Sequence, residues 1–186
     1  GTLPTDPKEI GCLSQGRRIN FFDEKSGAQR AIEMLEKKLA GEPYQSEIPL
    51  PVYESIVPAA PIRDLSRAKI ALVTSGGIVP IGNPDHLQAA TAKNYFRYDL
   101  PADGDLSGKF FSVHAGYDTA YANEDPNRVL PADVLLEMAT DGEIGSFVDR
   151  FFVTTGNSTA VSDAQRMGAA IADECKEENI DGVIVT

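Results

Sequence analysis

The stretch that most constrains this chain is its last part, residues 150–186. Residues 150–154 have the apolar and β-branched character of a strand and close on the small polar run Thr155-Gly156-Asn157-Ser158-Thr159. Ala164, Met167, Ile171 and Cys175 then recur at helical spacing, and Ser162-x-x-Gln165 has the form of a capping box. Asp181-Gly182 reads as a turn, and Val183-Ile184-Val185 as a buried closing strand. Strand, glycine loop, helix and strand make a βαβ unit whose connection suits a right-handed parallel crossover. The expected class is therefore α/β, a mostly parallel sheet flanked by helices in Rossmann-like layers. In such a sheet, ligands bind just beyond the carboxyl ends of the strands.

Other elements fit this frame. Residues 70–73 are wholly apolar, the mark of a central strand buried on both faces, and end in Thr74-Ser75-Gly76-Gly77. Residues 110–113 read as a further strand leading into His114-Ala115-Gly116-Tyr117-Asp118. A helix is expected over 131–138, with Pro131 at its first position, Asp133 in its first turn and Asp141-Gly142 ending it. Upstream, a strand is expected over 17–22. A helix follows, capped by Ser26, with Ala28, Ala31, Ile32, Leu35 and Leu39 on one face and Gly41 closing it.

Between these regions Pro43, Pro49, Pro51, Pro58 and Pro61 crowd a stretch without sustained period, which reads as an extended arm. Leu50, Val52, Tyr53, Ile56 and Val57 make it too apolar for a free tether, so it is expected to lie across another surface. The organisation is then 1–41, a strand–helix segment; 42–66, the proline-rich arm; and 67–186, the α/β lobe.

The bulk properties exclude several classes. A chain of 186 residues buries roughly 70% of its unfolded surface and needs no covalent staple. A net charge of −11, spread along the chain, argues against nucleic acid and anionic membrane as partners. No apolar run approaches a membrane span. Two cysteines, Cys12 and Cys175, far apart, fit a reducing cytoplasmic setting. The start lacks an initiator Met, so a trimmed tag or a piece of something longer is expected.

Chemistry can reside at the strand ends. Successive N–H groups at Ser75-Gly76-Gly77 and at Gly156-Asn157-Ser158-Thr159 make a candidate cradle for a carboxylate or phosphate. The alternative is that these glycines only turn tight corners. Neither loop has the Walker spacing or G-x-G-x-x-G, and "GNST" lacks the G-x-S-x-G elbow of a serine nucleophile. His114, past a strand and followed by Tyr117 and Asp118, is either an acid–base group or a hydrogen-bonded structural residue. His86 reads as part of a surface turn leading into a helix. The histidines and cysteines show no ligand spacing, so no metal site is expected. Cys175, on an apolar face, reads as inert core.

The long motifs say more. "EKSGAQRAIEML", "KIALVTSGGIVPIGNPDH", "HAGYDTAYANEDPNRVLPADVLLEM", "DGEIGSF" and "TTGNST", in this order, resemble the selenoprotein B subunit of the glycine/sarcosine/betaine reductases of anaerobic bacteria. The resemblance extends from about Arg17 to Thr186. It implies an oxidoreductase: reductive C–N cleavage of glycine, sarcosine or betaine, with a carboxymethyl group passing to a small selenoprotein carrier and on to acetyl phosphate. It also implies a companion subunit bearing a pyruvoyl group, and a selenocysteine within a few residues after Thr186, absent from this chain.

A chain cut just before the selenocysteine, by its codon read as stop or by a chosen truncation, and inactive alone, is the corresponding expectation. On that resemblance Ser75, Gly76, Gly77, Asn157 and Ser158 are expected to hold the substrate carboxylate. His114 is expected to supply a proton to the departing amine, with Tyr117 and Asp118 orienting it. The competing reading is a non-catalytic docking or small-anion-binding module.

Overall fold

The computed structural model describes residues 24–46 and 56–186. The strand expected over 17–22 lies outside the described residues, as do Pro49, Leu50, Pro51, Val52 and Tyr53 of the expected arm. The chain divides into two compact units, Gly1–Pro58 and Ala59–Thr186.

In the first unit, α1 spans Gly27–Ala40. Its start is a reciprocal capping box: the Gln29 N–H donates to Ser26 Oγ at 3.3 Å and the Ser26 N–H to Gln29 Oε1 at 2.9 Å. Gly41 ends it in the left-handed conformation at φ 71°, and Lys37 and Lys38 occupy its last turn, where the helix dipole favours cations. The apolar stripe is present but uncovered among the described residues: none of its residues is buried, and Leu39 is 79% exposed. Ile56 and Val57, expected to lie across another surface, are likewise exposed.

In the second unit, β1 (Lys69–Thr74) is the centre of a four-stranded sheet. β5 (Ser146–Val153) runs parallel on one side and β6 (Gly182–Val185) parallel on the other; β3 (Phe96–Asp99) joins antiparallel outside β5. The order is β3-β5-β1-β6. So β5 and β6 are not neighbours: α4 (Val161–Glu177) carries the chain past β1 to its far edge. The βαβ unit exists with a strand inserted in its middle. A separate antiparallel ribbon pairs β2 (Ile78–Pro80) with β4 (Phe110–Ser112), so the strand expected over 110–113 stands outside the parallel sheet.

Side chains alternate across the sheet as period two requires. Leu72, Phe151 and Val153 face a core completed by Ile78 and Val79 of β2, Phe110, Leu130 and Leu135. Leu135 belongs to α3 (Ala132–Thr140), which Pro131 caps from outside, one position earlier than expected. On the opposite face Phe152 packs on Ile171 and Cys175 of α4. One face thus carries α4 and the other a β ribbon with α3: the mostly parallel, helix-flanked sheet is as expected, while the ribbon stands where Rossmann-like layering would put helices alone. The Cys175 thiol is buried, and burial, then Glu178 and Glu174, push its pKa up.

Three local expectations are corrected. α4 begins at Val161 with Ala160 as N-cap and no side-chain cap bond, so Ser162 lies inside the first turn and no capping box forms with Gln165. No helix follows His86. Asn83 and His86 adopt positive φ, and the Asn83 side chain closes the loop on Leu87 through both its N–H and C=O, a path a right-handed helix cannot take. The closing strand is not buried. β6 is an edge strand among the described residues, with Val183 45%, Ile184 39% and Val185 67% exposed, because β1 covers only one of its two hydrogen-bonding sides.

Candidate functional site at the C-terminal end of the sheet

β1, β5 and β6 end on the same side of the sheet because all three are parallel. Their tips are tied together. The Ser75 N–H donates to the Thr186 carbonyl at 2.7 Å, and the Thr186 N–H to the Val73 carbonyl at 2.9 Å. Gly76 forms an isolated bridge with Thr155, and the Gly156 N–H donates back to the Ser75 carbonyl at 3.0 Å.

These bonds decide what the β1 loop can offer. The Gly76 N–H goes to Thr74 Oγ1 at 3.0 Å and the Gly77 N–H to the Thr154 carbonyl at 3.1 Å. With Ser75 N–H on Thr186, every N–H of Ser75-Gly76-Gly77 is already used within the chain. The anion cradle expected there is not formed, because the donors hold neighbouring strands instead of facing solvent. The glycines are nevertheless required by space. A Cβ at Gly76 would stand 2.5 Å from Val129 Cγ1, and Gly77 sits at φ 70° against His114.

The loop after β5 is different. The Asn157 carbonyl accepts the Thr91 N–H at 2.8 Å, and Ser158 Oγ donates to Asn157 Oδ1 at 3.4 Å. Among the described residues no acceptor is bonded to the N–H of Asn157 or Ser158, nor to Asn157 Nδ2. Ser158 and Thr91 both sit at φ 55°, an outlier for β-branched Thr91, which places stored strain beside this loop.

His114 comes from the end of the β2–β4 ribbon. Its Nδ1 accepts the Gly116 N–H at 2.9 Å, its own N–H donates to Ser112 Oγ at 3.3 Å, and its ring lies 4.7 Å from that of Tyr117. Burial lowers its pKa below the ordinary histidine value. The Tyr117 and Ser112 hydroxyls both reach the Gly76 carbonyl at 2.9 Å and lie 2.7 Å from each other, so Tyr117 braces the imidazole against the β1 loop. Asp118 does not join them. Its Oδ1 accepts the Ala120 N–H at 3.0 Å, at the start of α2 (Ala120–Glu124).

His114, Tyr117, Gly76, Gly77 and Asn157 are therefore brought together, while Asp118 points its bond elsewhere and His86 lies exposed on a separate turn. The sequence reading missed Gly116 and Ser112. A Cβ at Gly116 would meet His114 Cε1 at 2.7 Å and Asn157 Cγ at 3.0 Å, so the β4 and β5 loops meet over this glycine. The signal was present as His-x-Gly at a strand end, where an N–H two residues on can reach the imidazole. No group of three or more His, Cys, Asp or Glu residues is placed to hold a metal among the described residues. Nor is any described helix long and apolar enough to cross a membrane.

Comparison with known proteins gives a consistent result. The family model described as glycine/sarcosine/betaine reductase selenoprotein B matches residues 3–186. The "Glycine reductase complex component B subunit gamma" of Carboxydothermus hydrogenoformans is 45% identical over 181 residues, covering 97% of this chain and 42% of that protein. In Peptoclostridium acidaminophilum, the "Sarcosine reductase complex component B subunit beta" is 40% identical over all of this chain and 43% of its own length. The "Betaine reductase complex component B subunit beta" of the same organism is 41% identical over 96% of this chain and 41% of its length. The chain thus spans about two-fifths of the length of these curated relatives. No solved structure matches.

Proposed function

The chain belongs to the glycine/sarcosine/betaine reductase selenoprotein B family, and on that premise we propose that it is the substrate-holding part of a component B subunit of an amino-acid reductase complex. The observation that carries this reading is the convergence over Gly116: His114 from the β4 loop and Asn157 from the β5 loop flank one point at the carboxyl ends of the parallel strands. That is where an open α/β sheet takes its ligand.

The substrate class is a small carboxylate with an amine or quaternary nitrogen on its α-carbon: glycine, sarcosine or betaine. The reaction is reductive C–N cleavage, in which the bonding pair leaves with nitrogen and the released amine takes up a proton. A selenolate of the carrier selenoprotein supplies the pair for the new bond to the carboxymethyl carbon, and a thiol reductant is consumed only later, when that group is released. The residues of this chain hold the carboxylate end. Asn157 and His114 offer side-chain N–H groups, and Ser158 and Asn157 offer free backbone N–H groups. Tyr117 and Ser112 fix the histidine by their bonds to the Gly76 carbonyl.

The selenium that the family name records belongs, in this reading, to residues after Thr186 in the full-length protein, where it supplies a nucleophile ionised near neutral pH. The tip of β6 suits such a neighbour, since the N–H and carbonyl of Thr186 are both held by β1, at Val73 and Ser75, and its buried Oγ1 has no partner among the described residues. Partners are a companion pyruvoyl subunit and a small selenoprotein carrier. The 186-residue chain alone is inactive on this reading.

The test is to assemble the full-length protein with its companion subunits and measure amine release from each of the three substrates under reducing conditions. Release from one of them is expected, and release from none contradicts the reading. A second reading, a docking module, has one observation in its favour, the apolar side chains exposed on the β6 edge. Capture of the companion subunit by this chain, undiminished by a charge placed at Val183, would remove that support.

A further inference from the structure

Resting on the site assignment above, we propose that His114 acts as a neutral imidazole with its proton on Nε2, and that its Nε2–H and the Asn157 Nδ2–H form a two-donor seat for one carboxylate of the substrate. On this account His114 is a substrate-contacting donor and not an imidazolium acid delivering a proton to the leaving amine.

The tautomer follows from the backbone. An amide N–H can only donate, and Gly116 N–H points at His114 Nδ1 at 2.9 Å, so Nδ1 must present a lone pair and Nε2 must carry the hydrogen. Protonating Nδ1 would set two donors against each other. The ring cannot easily turn away from this contact. Its own backbone N–H is held by Ser112 Oγ, and its face lies against Tyr117, itself anchored on the Gly76 carbonyl.

Among the described residues no charged group is placed on the ring to favour an imidazolium. Gly77 packs on the backbone N and Cβ of His114, the β5 loop brings uncharged Asn157 and the β4 loop Tyr117, while Asp118 is turned to the Ala120 N–H. Burial works in the same direction.

The seat is defined by Gly116. His114 Cε1 and Asn157 Cγ lie 2.7 and 3.0 Å from the point a Cβ would occupy there, so both side chains close over the same bare Cα. Ser158 Oγ donates to Asn157 Oδ1, which turns the amide so that Nδ2 is the group left without a partner among the described residues. Two side chains that carry N–H donors and meet over one bare Cα, with no carboxylate bonded to either among the described residues, suit an oxyanion and repel a cationic nitrogen. The carboxylate end of the substrate, common to glycine, sarcosine and betaine, is therefore the part recognised here, and discrimination by N-methyl groups must come from residues other than these two.

The test is nitrogen NMR of the histidine rings in the 15N-labelled 186-residue chain, followed through a pH series and an acetate titration. Only two histidines contribute, and His86 lies exposed on a separate turn. Expected are a bare Nδ1 and a protonated Nε2 for His114, a titration midpoint below the ordinary histidine value, and movement of the His114 Nε2–H and Asn157 Nδ2–H signals with acetate. Asn157→Ala should weaken acetate binding about tenfold, the loss of one charge-assisted hydrogen bond. Gly116→Ala should raise the His114 midpoint toward the ordinary histidine value.

A protonated Nδ1, a His114 midpoint at or above the ordinary histidine value, or acetate signals confined to other residues would overturn the proposal. These readouts need no turnover. A confirmed tautomer and acetate seat, in a complex that releases no amine from any substrate, would leave this inference standing and remove the reductase reading.

Discussion

The loops after β1 and β5 look alike in sequence, each a short run of small polar residues and glycine at a strand tip, yet they do opposite work. Ser75, Gly76 and Gly77 donate all three N–H groups to Thr186, Thr74 and Thr154, and thereby lock β1 to β6 and β5. Asn157 and Ser158 donate no backbone N–H within the described residues, while Asn157 leans its carboxamide toward His114 over Gly116. A glycine loop is architecture or a binding element according to where its donors point, and composition does not say which.

The comparison can be broken by substitution. If the β1 loop is architecture, Gly76→Ala should cause the largest loss of stability, about 2–3 kcal/mol, because its Cβ would overlap stiff Val129. Urea denaturation measures this, and a variant as stable as the parent would refute the tight-packing account. Next comes Ser112→Ala. It leaves the His114 N–H without its acceptor and removes a hydroxyl shared with Tyr117 and the Gly76 carbonyl, at a cost of about 1–2 kcal/mol. An unchanged midpoint would show that Tyr117 alone braces the site.

A smaller effect is expected from pH. The folded-state pKa of His114 is lowered, so below the ordinary histidine value near 6.5 the unfolded chain binds more protons than the folded one. Its contribution is therefore level above that value, and stability falls as the pH drops beneath it. His114→Gln should flatten the denaturation midpoint between about pH 5 and 6.5, and an unaltered slope would assign the effect elsewhere. Least of all in stability terms is Asn157→Ala, expected within about 0.5 kcal/mol of the parent because within the described residues its side chain accepts only the long 3.4 Å bond from Ser158 Oγ. A large loss there would make the β5 loop architectural too.

Much of the frame was legible in the sequence. α1, β1, α4 and the final strand carry strong local periodicity, and Ser26 and Gly41 mark the ends of α1 as expected. What was not legible depends on tertiary contact. β3 and β2 are short, and their partners lie far along the chain. Ser162-x-x-Gln165 matched a capping pattern, but the chain enters α4 through Ala160, two residues earlier. The β-branched run in β6 suggested burial, whereas its position at the sheet edge leaves it exposed.

At the site, His114 and Tyr117 could be picked out because strand ends carry function. Ser112 and Gly116 could not, since their importance lies in what approaches them from other elements. Asp118 was drawn in by sequence proximity alone, and its carboxylate serves the turn into α2 instead.

On the proposed function, the β5 loop and His114 bind substrate while the β1 loop holds the sheet. The most direct test is a paired measurement on the full-length Asn157→Ala subunit, assembled with its companions: kcat/KM for amine release, and the thermal midpoint of the same preparation. Expected is at least about a tenfold loss in kcat/KM, the value of one hydrogen bond to the carboxylate, with the midpoint within about 2 °C of the parent. Parental kcat/KM at an unchanged midpoint would contradict it.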